Sequence, residues 1–218
     1  MIGPAFRSIV LDVDSTLCGI EGIDWLSARR DKYVAERVAL ETEMAMRGEI
    51  ALEAVYANRL ALVKPSRNEI EMLSEMYMST IAPGAAETVS RWVRDGIVIA
   101  LVSGGIRQAI IPLAMKLGLS STNVHAVDLR FDSSGVYAGF DDTSPLSTAV
   151  GKRDVVKSLK LDRPLLGVGD GSTDLAIREV ADTFAAFTGF TARGPVMRAA
   201  DVVVDSFEQL DRIVTNGI

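Results

Sequence analysis

Strand-sized apolar runs alternating with helix-sized stretches constrain this chain more than any other feature. Residues 8–11 with Val13, 97–102, 124–127, 165–168, 183–187 and 201–204 are short, aliphatic and rich in β-branched side chains. They lack the alternation of a strand with one wet face, so they predict buried strands. Between them, residues 85–95, 108–117, 153–159 and 174–180 carry helical periodicity. Repeated strand-helix units of this kind predict an α/β fold, a doubly wound, Rossmann-like parallel sheet covered by helices on both faces. Residues 129–131 and 136–138 around the turn 132–135 predict one hairpin beside it. A single block breaks the alternation: from Gly22 to about Met78 the chain is rich in Ala, Glu, Arg, Met and Leu at helical spacing, with breaks at Gly48 and Pro65. That predicts a small bundle of four helices inserted after the first strand. The expected division is a core of residues 1–18 and 80–218 with a helical cap of residues 19–79. Met72, Met76 and Met78 read as the core of the bundle, and the mixed run Arg29, Arg30, Asp31 and Lys32 as its solvated face.

Composition narrows the chemistry. Hydrophobic residues make up 48% of the chain and charged ones 24%, enough for a packed core. There is one histidine, His125, and one cysteine, Cys18. A Ser-His-Asp triad would have to use His125, a His/Cys zinc cage cannot be assembled, and no intrachain disulfide can form. Both residues read as structural, His125 in an apolar strand and Cys18 as a small apolar side chain with no arginine close enough behind it to form a thiolate phosphate loop. The apolar runs fall far short of the roughly 20 residues that span a bilayer. Only Arg7 precedes a short apolar run that ends in Asp12, which lacks the layout of a secretory signal, so a cytoplasmic location is expected. A formal net charge of -6 argues against nucleic-acid and anionic-membrane partners, which need a basic face. The sequence is silent on oligomeric state, and a homodimer is one state it allows.

In doubly wound sheets ligands sit beyond the carboxyl ends of the strands. There the sequence places Asp12 and Asp14, then Ser103, Gly104 and Gly105, then Asp170, Thr173 and Asp174. Asp12 and Asp14 are two apart and would face the same way on a strand. Two unit charges 4 Å apart repel by roughly 4 kcal/mol at an effective dielectric of about 20, so these carboxylates cannot all stay ionised unaided. Either some are protonated or a cation is bound. Oxygen-only donors with no His or Cys among them suit Mg²⁺. Ser103 with the amides of Gly104 and Gly105 suits an anion, and Lys152 can add a positive charge. Within this set the nucleophile is a carboxylate: attack by Asp12 on phosphorus would give an aspartyl-phosphate, with Asp14 moving the protons. An EF-hand reading fails at Leu17 and Ile23, a dinucleotide fingerprint fails for want of a third glycine beside Asp170, and Gly151-Lys152 has neither the upstream glycine nor the following Ser or Thr of a P-loop. Arg59 falls four after Val55, seven after Leu52 and three before Leu62, which puts a permanent cation on the apolar stripe of its helix, a position suited to gripping a carboxylate.

These residues, in this order, resemble the haloacid dehalogenase superfamily of phosphohydrolases, whose motifs are DxDxT, a Ser or Thr after a later strand, a Lys, and GDxxxD. Here they are residues 12–16, Ser103, Lys152 and residues 169–174. The likeness extends over nearly the whole chain, where DVDSTLCGIEGIDWL, RLALVKPSR, VSGGIR, TNVHA, GVYAGFDDTSP and GDGSTDLA are similar to segments of the phosphoserine phosphatase family. The resemblance implies hydrolysis of a small phosphomonoester, O-phospho-L-serine, to L-serine and phosphate as the last step of serine biosynthesis. It implies Asp12 as nucleophile and Asp14 as general acid/base. It also implies one Mg²⁺ on Asp12, the backbone carbonyl of Asp14 and Asp170, supported by Asp174. Ser103, Gly104 and Lys152 would hold the phosphoryl group, Glu21 the substrate ammonium and Arg59 its carboxylate, with Met46 and Thr173 lining the pocket. Leu52, Ile106, Val127, Asp128 and Arg47 depart from that family's usual residues, and they touch the pocket edge more than the phosphate chemistry. Two alternatives stand beside this reading: a phosphatase or phosphotransferase for another small phosphorylated amino acid or amine, and a receiver-type phosphorylated signalling domain.

Overall fold

A computed structural model describes residues 4–217, so the outermost residues of the expected core lie outside the described part. Six parallel strands form one sheet in the order β3-β2-β1-β6-β7-β8. They are β1 (Ser8–Leu11), β2 (Val98–Ile106), β3 (Val124–Val127), β6 (Leu165–Gly169), β7 (Thr183–Phe187) and β8 (Val202–Val204). Near-continuous burial of β1, β6 and β7 matches the uninterrupted apolar runs. Strands β4 (Leu129–Phe131) and β5 (Tyr137–Phe140) pair antiparallel outside the sheet. Their turn is held by Asp132 Oδ1, which accepts from the amides of Ser134 and Val136, both at 2.9 Å.

The chain moves outward from β1 to β2 and β3, then crosses back to β6 on the other side of β1. Strand order therefore reverses beside β1, the place where such sheets open a crevice. Register aligns the ends: Leu11 pairs with Leu101 on one side and with Val168 on the other. Asp12, Ser103 and Asp170, each one or two residues further on, thus arrive at one edge.

Four helices follow β1: α1 (Gly22–Ser27), α2 (Lys32–Met46), α3 (Leu52–Val63) and α4 (Arg67–Ser79). Asp31 caps α2 by accepting from Val34 N at 2.9 Å, and Ser66 with Glu69 forms a capping box at the start of α4. The run from Arg29 to Lys32 is more than a solvated face, because Arg30 also grips Glu69 through Nη1 at 2.7 Å and Nη2 at 3.0 Å. The methionines of α4 sit at the margin of its core, with Met78 packed against it only partly buried. Met72 is 39% exposed, and the buried stripe is Ile70, Leu73, Ser74 and Tyr77, one helical phase away. Three polar contacts set this insert over the sheet edge: Tyr56 Oη donates to Gly104 O at 2.7 Å, Ser172 Oγ to Ala45 O at 2.8 Å, and Ala149 N to Glu53 Oε2 at 2.9 Å.

The remaining helices α5 (Ala85–Arg94), α6 (Arg107–Lys116), α7 (Gly151–Leu159), α8 (Ser172–Leu175), α9 (Gly194–Ala199) and α10 (Phe207–Asn216) cover the sheet. The helix expected over 174–180 is instead the short α8 followed by a 3-10 turn at Ala176–Glu179. The side chain of Asp174, inside α8, folds back to accept from Gly171 N at 3.0 Å. Among the described residues no helix is long and apolar enough to cross a membrane.

Candidate active site

The site begins where β1 stops. Asp12 N donates to Val168 O at 3.0 Å, and the chain then folds back over the sheet edge. The strand ends at Leu11, so a shared strand face does not align Asp12 with Asp14. Asp14 is instead placed by a turn that requires Ser15 at φ 53, a left-handed conformation that costs a non-glycine residue about 1–3 kcal/mol. Ser15 is held there from both sides: its amide donates to Ile20 O at 3.2 Å and its hydroxyl to Glu21 Oε1 at 2.7 Å.

Buried charge concentrates at this edge. Carboxylate oxygens of Asp12, Asp170 and Asp174 lie within 4.8 Å of one another, all buried. Lys152, in the first turn of α7, stands 2.6 Å from Asp12 Oδ1 and donates to Asp174 Oδ1 at 2.6 Å. Burial alone would lower the Lys152 pKa, but the charges of Asp12 and Asp174 outweigh it and hold the ammonium above its ordinary range. Burial pushes Asp12 well above the usual carboxylate range, Asp174 adds to that, and Lys152 opposes it. Two glycines make this packing possible. A Cβ on Gly151 would stand 1.7 Å from Pro145 O, and one on Gly169 would stand 2.2 Å from Asp174 Cγ.

Asp170 has two further partners. Thr16 Oγ1 donates to its Oδ1 at 3.1 Å, and Arg193 Nη1 pairs with its Oδ2. Arg193 also lies 3.5 Å from Glu43 and 3.8 Å from Glu21. Sequence reasoning missed this arginine, which comes from the irregular stretch between β7 and α9. The signal that could have found it is charge balance, since Lys152 alone cannot offset so many acids.

The fit to a hard divalent cation can be judged from the donors. They are all oxygen, and their negative charge is met by Lys152 Nζ, 2.6 Å from Asp12 Oδ1, and by Arg193 Nη1 beside Asp170 Oδ2, a demand for positive charge that a hard divalent cation would also meet. Asp14 presents its carboxyl elsewhere. Tyr77 Oη donates to its Oδ1 at 2.6 Å and Gly22 N to its Oδ2 at 3.2 Å. Burial, then the charge of Glu21, pushes Asp14 up to about 7, which suits a group that must give and take a proton near neutrality.

On the β2 side, Ser103 is buried and its Oγ accepts from Gly105 N at 3.0 Å. Gly105's amide is thereby engaged with Ser103 rather than paired with Gly104's toward an anion. Gly104 is steadied from the insert through the Tyr56 bond to its carbonyl.

Asp12, Asp14, Ser103, Gly104, Gly105, Lys152, Asp170, Thr173, Glu21, Met46 and Arg59 line one pocket enclosing about 550 Å³ of empty space, part of it open to solvent. Asp174 lies just behind Lys152. From the insert, Leu52, Tyr56 and Ile23 add apolar wall. Arg59 is 4% exposed, and its Nη1 donates to Thr42 Oγ1 at 2.5 Å while its Nε has no hydrogen-bond partner. Thr42 donates on to Asp24 Oδ1 at 2.6 Å, and burial pushes Asp24 up to about 7. Among the described residues no carboxylate forms an ion pair with Arg59.

His125 and Cys18 do not line the pocket. His125 is half-buried on β3, and burial lowers its pKa. Cys18 is buried, its thiol is pushed up by burial, and Sγ donates to Tyr77 O at 3.3 Å.

Comparison with known proteins agrees with this geometry. Residues 9–179 match the family model for haloacid dehalogenase-like hydrolases. The chain is 37% identical to the phosphoserine phosphatase of Bos taurus, covering 93% of this chain and 91% of the relative. It is also 37% identical to the chloroplastic phosphoserine phosphatase of Arabidopsis thaliana, covering 94% and 70%. Among solved structures, a phosphoserine phosphohydrolase-like protein from Francisella tularensis superposes with a TM-score of 0.87 at 24% identity, covering 96% and 100% of the two chains. A phospho-aspartyl intermediate analogue of phosphoserine phosphatase superposes with a TM-score of 0.81 at 25% identity, covering 96% and 99%. A strand order that reverses beside β1, carboxylates gathered at that reversal and a relative 37% identical over 91% of its length place this chain in the phosphoserine phosphatase family of the haloacid dehalogenase-like hydrolases.

Proposed function

We infer that the chain is a Mg²⁺-dependent phosphomonoesterase that hydrolyses O-phospho-L-serine to L-serine and phosphate through an aspartyl-phosphate on Asp12. The observation that carries the reading is the polarity of one pocket. Buried carboxylates with Lys152 and Ser103 form one end, and Arg59, buried on the insert without an ion pair and reaching Asp24 only through the Thr42 hydroxyl, stands across from them. A phosphorylated amino acid has matching poles: a phosphoryl group for the first, and a carboxylate that a guanidinium binds in a fork for the second. Glu21 accepts the substrate ammonium, and Met46 and Thr173 close the sides. The names of the relatives support the same substrate.

In this reading residues 19–79 act as a cap over a core of residues 1–18 and 80–218. Ser103, Gly104 and Lys152 orient the phosphoryl group in line with Asp12. An Asp12 carboxylate oxygen forms a bond to phosphorus as the bond to the seryl oxygen breaks. The electron pair stays on that oxygen, which takes the proton held by Asp14. Asp14 then removes a proton from a water that attacks phosphorus, releasing phosphate and restoring the Asp12 carboxylate. Asp12, Asp170 and the Asp14 backbone carbonyl, with Asp174 in support, would hold Mg²⁺, which when bound neutralises charge on the carboxylates and phosphoryl oxygens. A cytoplasmic setting goes with this reading. The receiver-type alternative gives no role to Asp14 or to the insert.

Phosphate release from phosphoserine, phosphothreonine, phosphohomoserine and phosphoethanolamine tests the reading. Phosphoserine is expected to have the highest kcat/KM, with loss of turnover under chelation and recovery on adding Mg²⁺. Equal use of phosphoethanolamine, which has no carboxylate, would overturn the role of Arg59 and the substrate together.

A further inference from the structure

Tyr77 is unaccounted for by the chemistry above, yet its hydroxyl meets the group that moves the protons. We propose that Tyr77, a residue of the insert, is a positioning residue for Asp14: by donating to Oδ1 it fixes the rotation of the carboxyl and leaves Oδ2 as the oxygen that carries and delivers the proton. This inference rests on the phosphomonoesterase reading.

The placement is specific. Tyr77 is fully buried near the end of α4 and donates to Asp14 Oδ1 at a short 2.6 Å, while Gly22 N reaches Oδ2 at a looser 3.2 Å. The hydroxyl fits between two residues that lack a Cβ. One on Gly22 would stand 2.2 Å from Tyr77 Oη, and one on Gly105 would stand 3.3 Å from it. The backbone behind the ring is anchored as well. Cys18 Sγ donates to Tyr77 O, Gly19 N donates to Thr80 O at 2.9 Å, and Ala82 N donates to Leu17 O at 2.9 Å. The two chain crossings between sheet and insert are thereby tied together just where Tyr77 reaches Asp14. Packing alone would be met by phenylalanine, so the hydroxyl is the informative atom.

The chemistry follows from the number of protons. A neutral carboxyl has one, and an oxygen already accepting a strong hydrogen bond is the less basic of the pair. With Oδ1 occupied by Tyr77, the acidic proton resides on Oδ2. As the P–O bond breaks, the leaving oxygen takes that proton and the negative charge left on Asp14 is met by the Tyr77 and Gly22 donors. Serine's alkoxide needs the proton; p-nitrophenolate, a weakly basic anion, leaves without it.

The experiment is kcat/KM, which reports steps through departure of the leaving group, for phosphoserine and for p-nitrophenyl phosphate in wild type and Tyr77→Phe with Mg²⁺ present. The loss on phosphoserine is expected to exceed that on p-nitrophenyl phosphate by about tenfold to a hundredfold, a fraction of what a general acid supplies. In an Asp14→Asn background, Tyr77→Phe should add no further bias between the two substrates. Gly22→Ala, whose methyl would displace the hydroxyl with the ring still present, should reproduce the bias and serves if the Phe variant folds poorly. Equal losses on both substrates, or a bias that persists without Asp14, overturn the positioning role alone. Failure of the wild type to hydrolyse either substrate overturns the phosphomonoesterase reading and this inference with it.

Discussion

The two halves of the pocket are built on opposite principles. On the sheet edge every buried charge has a charged or hydrogen-bonded neighbour: Asp12 and Asp174 share Lys152, while Asp170 has Thr16 and Arg193. On the insert the wall is Leu52, Tyr56, Ile23 and Met46 with the acids Glu21 and Asp24, and its buried cation, Arg59, donates to the Thr42 hydroxyl and lies over the Tyr56 ring, 5.7 Å from its centroid, with no ion pair among the described residues. The first arrangement is costly to disturb, because removing one partner leaves another charge buried and alone. The second has room for a charge that the protein does not supply. In the proposed function the sheet edge is the half that reacts and the insert the half that chooses what reacts.

Substitutions on each side should separate these roles, beginning with the largest effect. Asp12→Asn removes the proposed nucleophile, and steady-state phosphate release should fall by at least about a thousandfold on every substrate, alkyl or aryl. Arg59→Ala should cost about 2–4 kcal/mol in kcat/KM for phosphoserine, the scale of a lost buried ionic contact, while p-nitrophenyl phosphate is affected far less. Equal losses on both would erase the contrast between the halves. Gly169→Ala places a methyl against Asp174 and should lower stability by about 1–3 kcal/mol in denaturant melts, with a higher Mg²⁺ concentration needed for half-maximal turnover as Asp174 is displaced from the carboxylate cluster.

The smallest effect lies far from the pocket. The Arg30 pair and the Ser66 cap hold Glu69 down to about 2, with Arg30 the larger cause. A carboxyl lowered in the folded state stabilises fully above its unfolded value near 4.5, and that contribution fades as pH falls toward about 2. Glu69→Gln should therefore cost about 1 kcal/mol at pH 7, half-buried as the pair is, and almost nothing at pH 2. Thermal melts at the two pH values would show it.

The sheet was legible because β1, β3, β6 and β7 announce themselves through short uninterrupted apolar runs, and the strand-end residues Asp12, Ser103 and Asp170 follow from those runs directly. The rest depends on where side chains meet after folding. Asp14 arrives through a left-handed turn at Ser15 that no periodicity predicts. Tyr77 lies on a helix whose buried stripe passes beside its methionines, so the apolar count pointed to the wrong phase. Arg193 sits in an irregular segment and joins Asp170 only across the sheet edge. α9 and α10 carry weaker signals than the helices between strands, and α8 is cut short where Asp174 turns back to Gly171.

The central claim is that chemistry resides in Asp12 and is shared by every substrate the insert admits. Acid quenching of the enzyme during turnover of ³²P-labelled phosphoserine with Mg²⁺, followed by peptide mapping, tests it most directly. The account predicts a hydroxylamine-labile label on the peptide that contains Asp12, absent in Asp12→Asn. Normal phosphate release in the millisecond range with no labelled protein, or a label on a different residue, would contradict it.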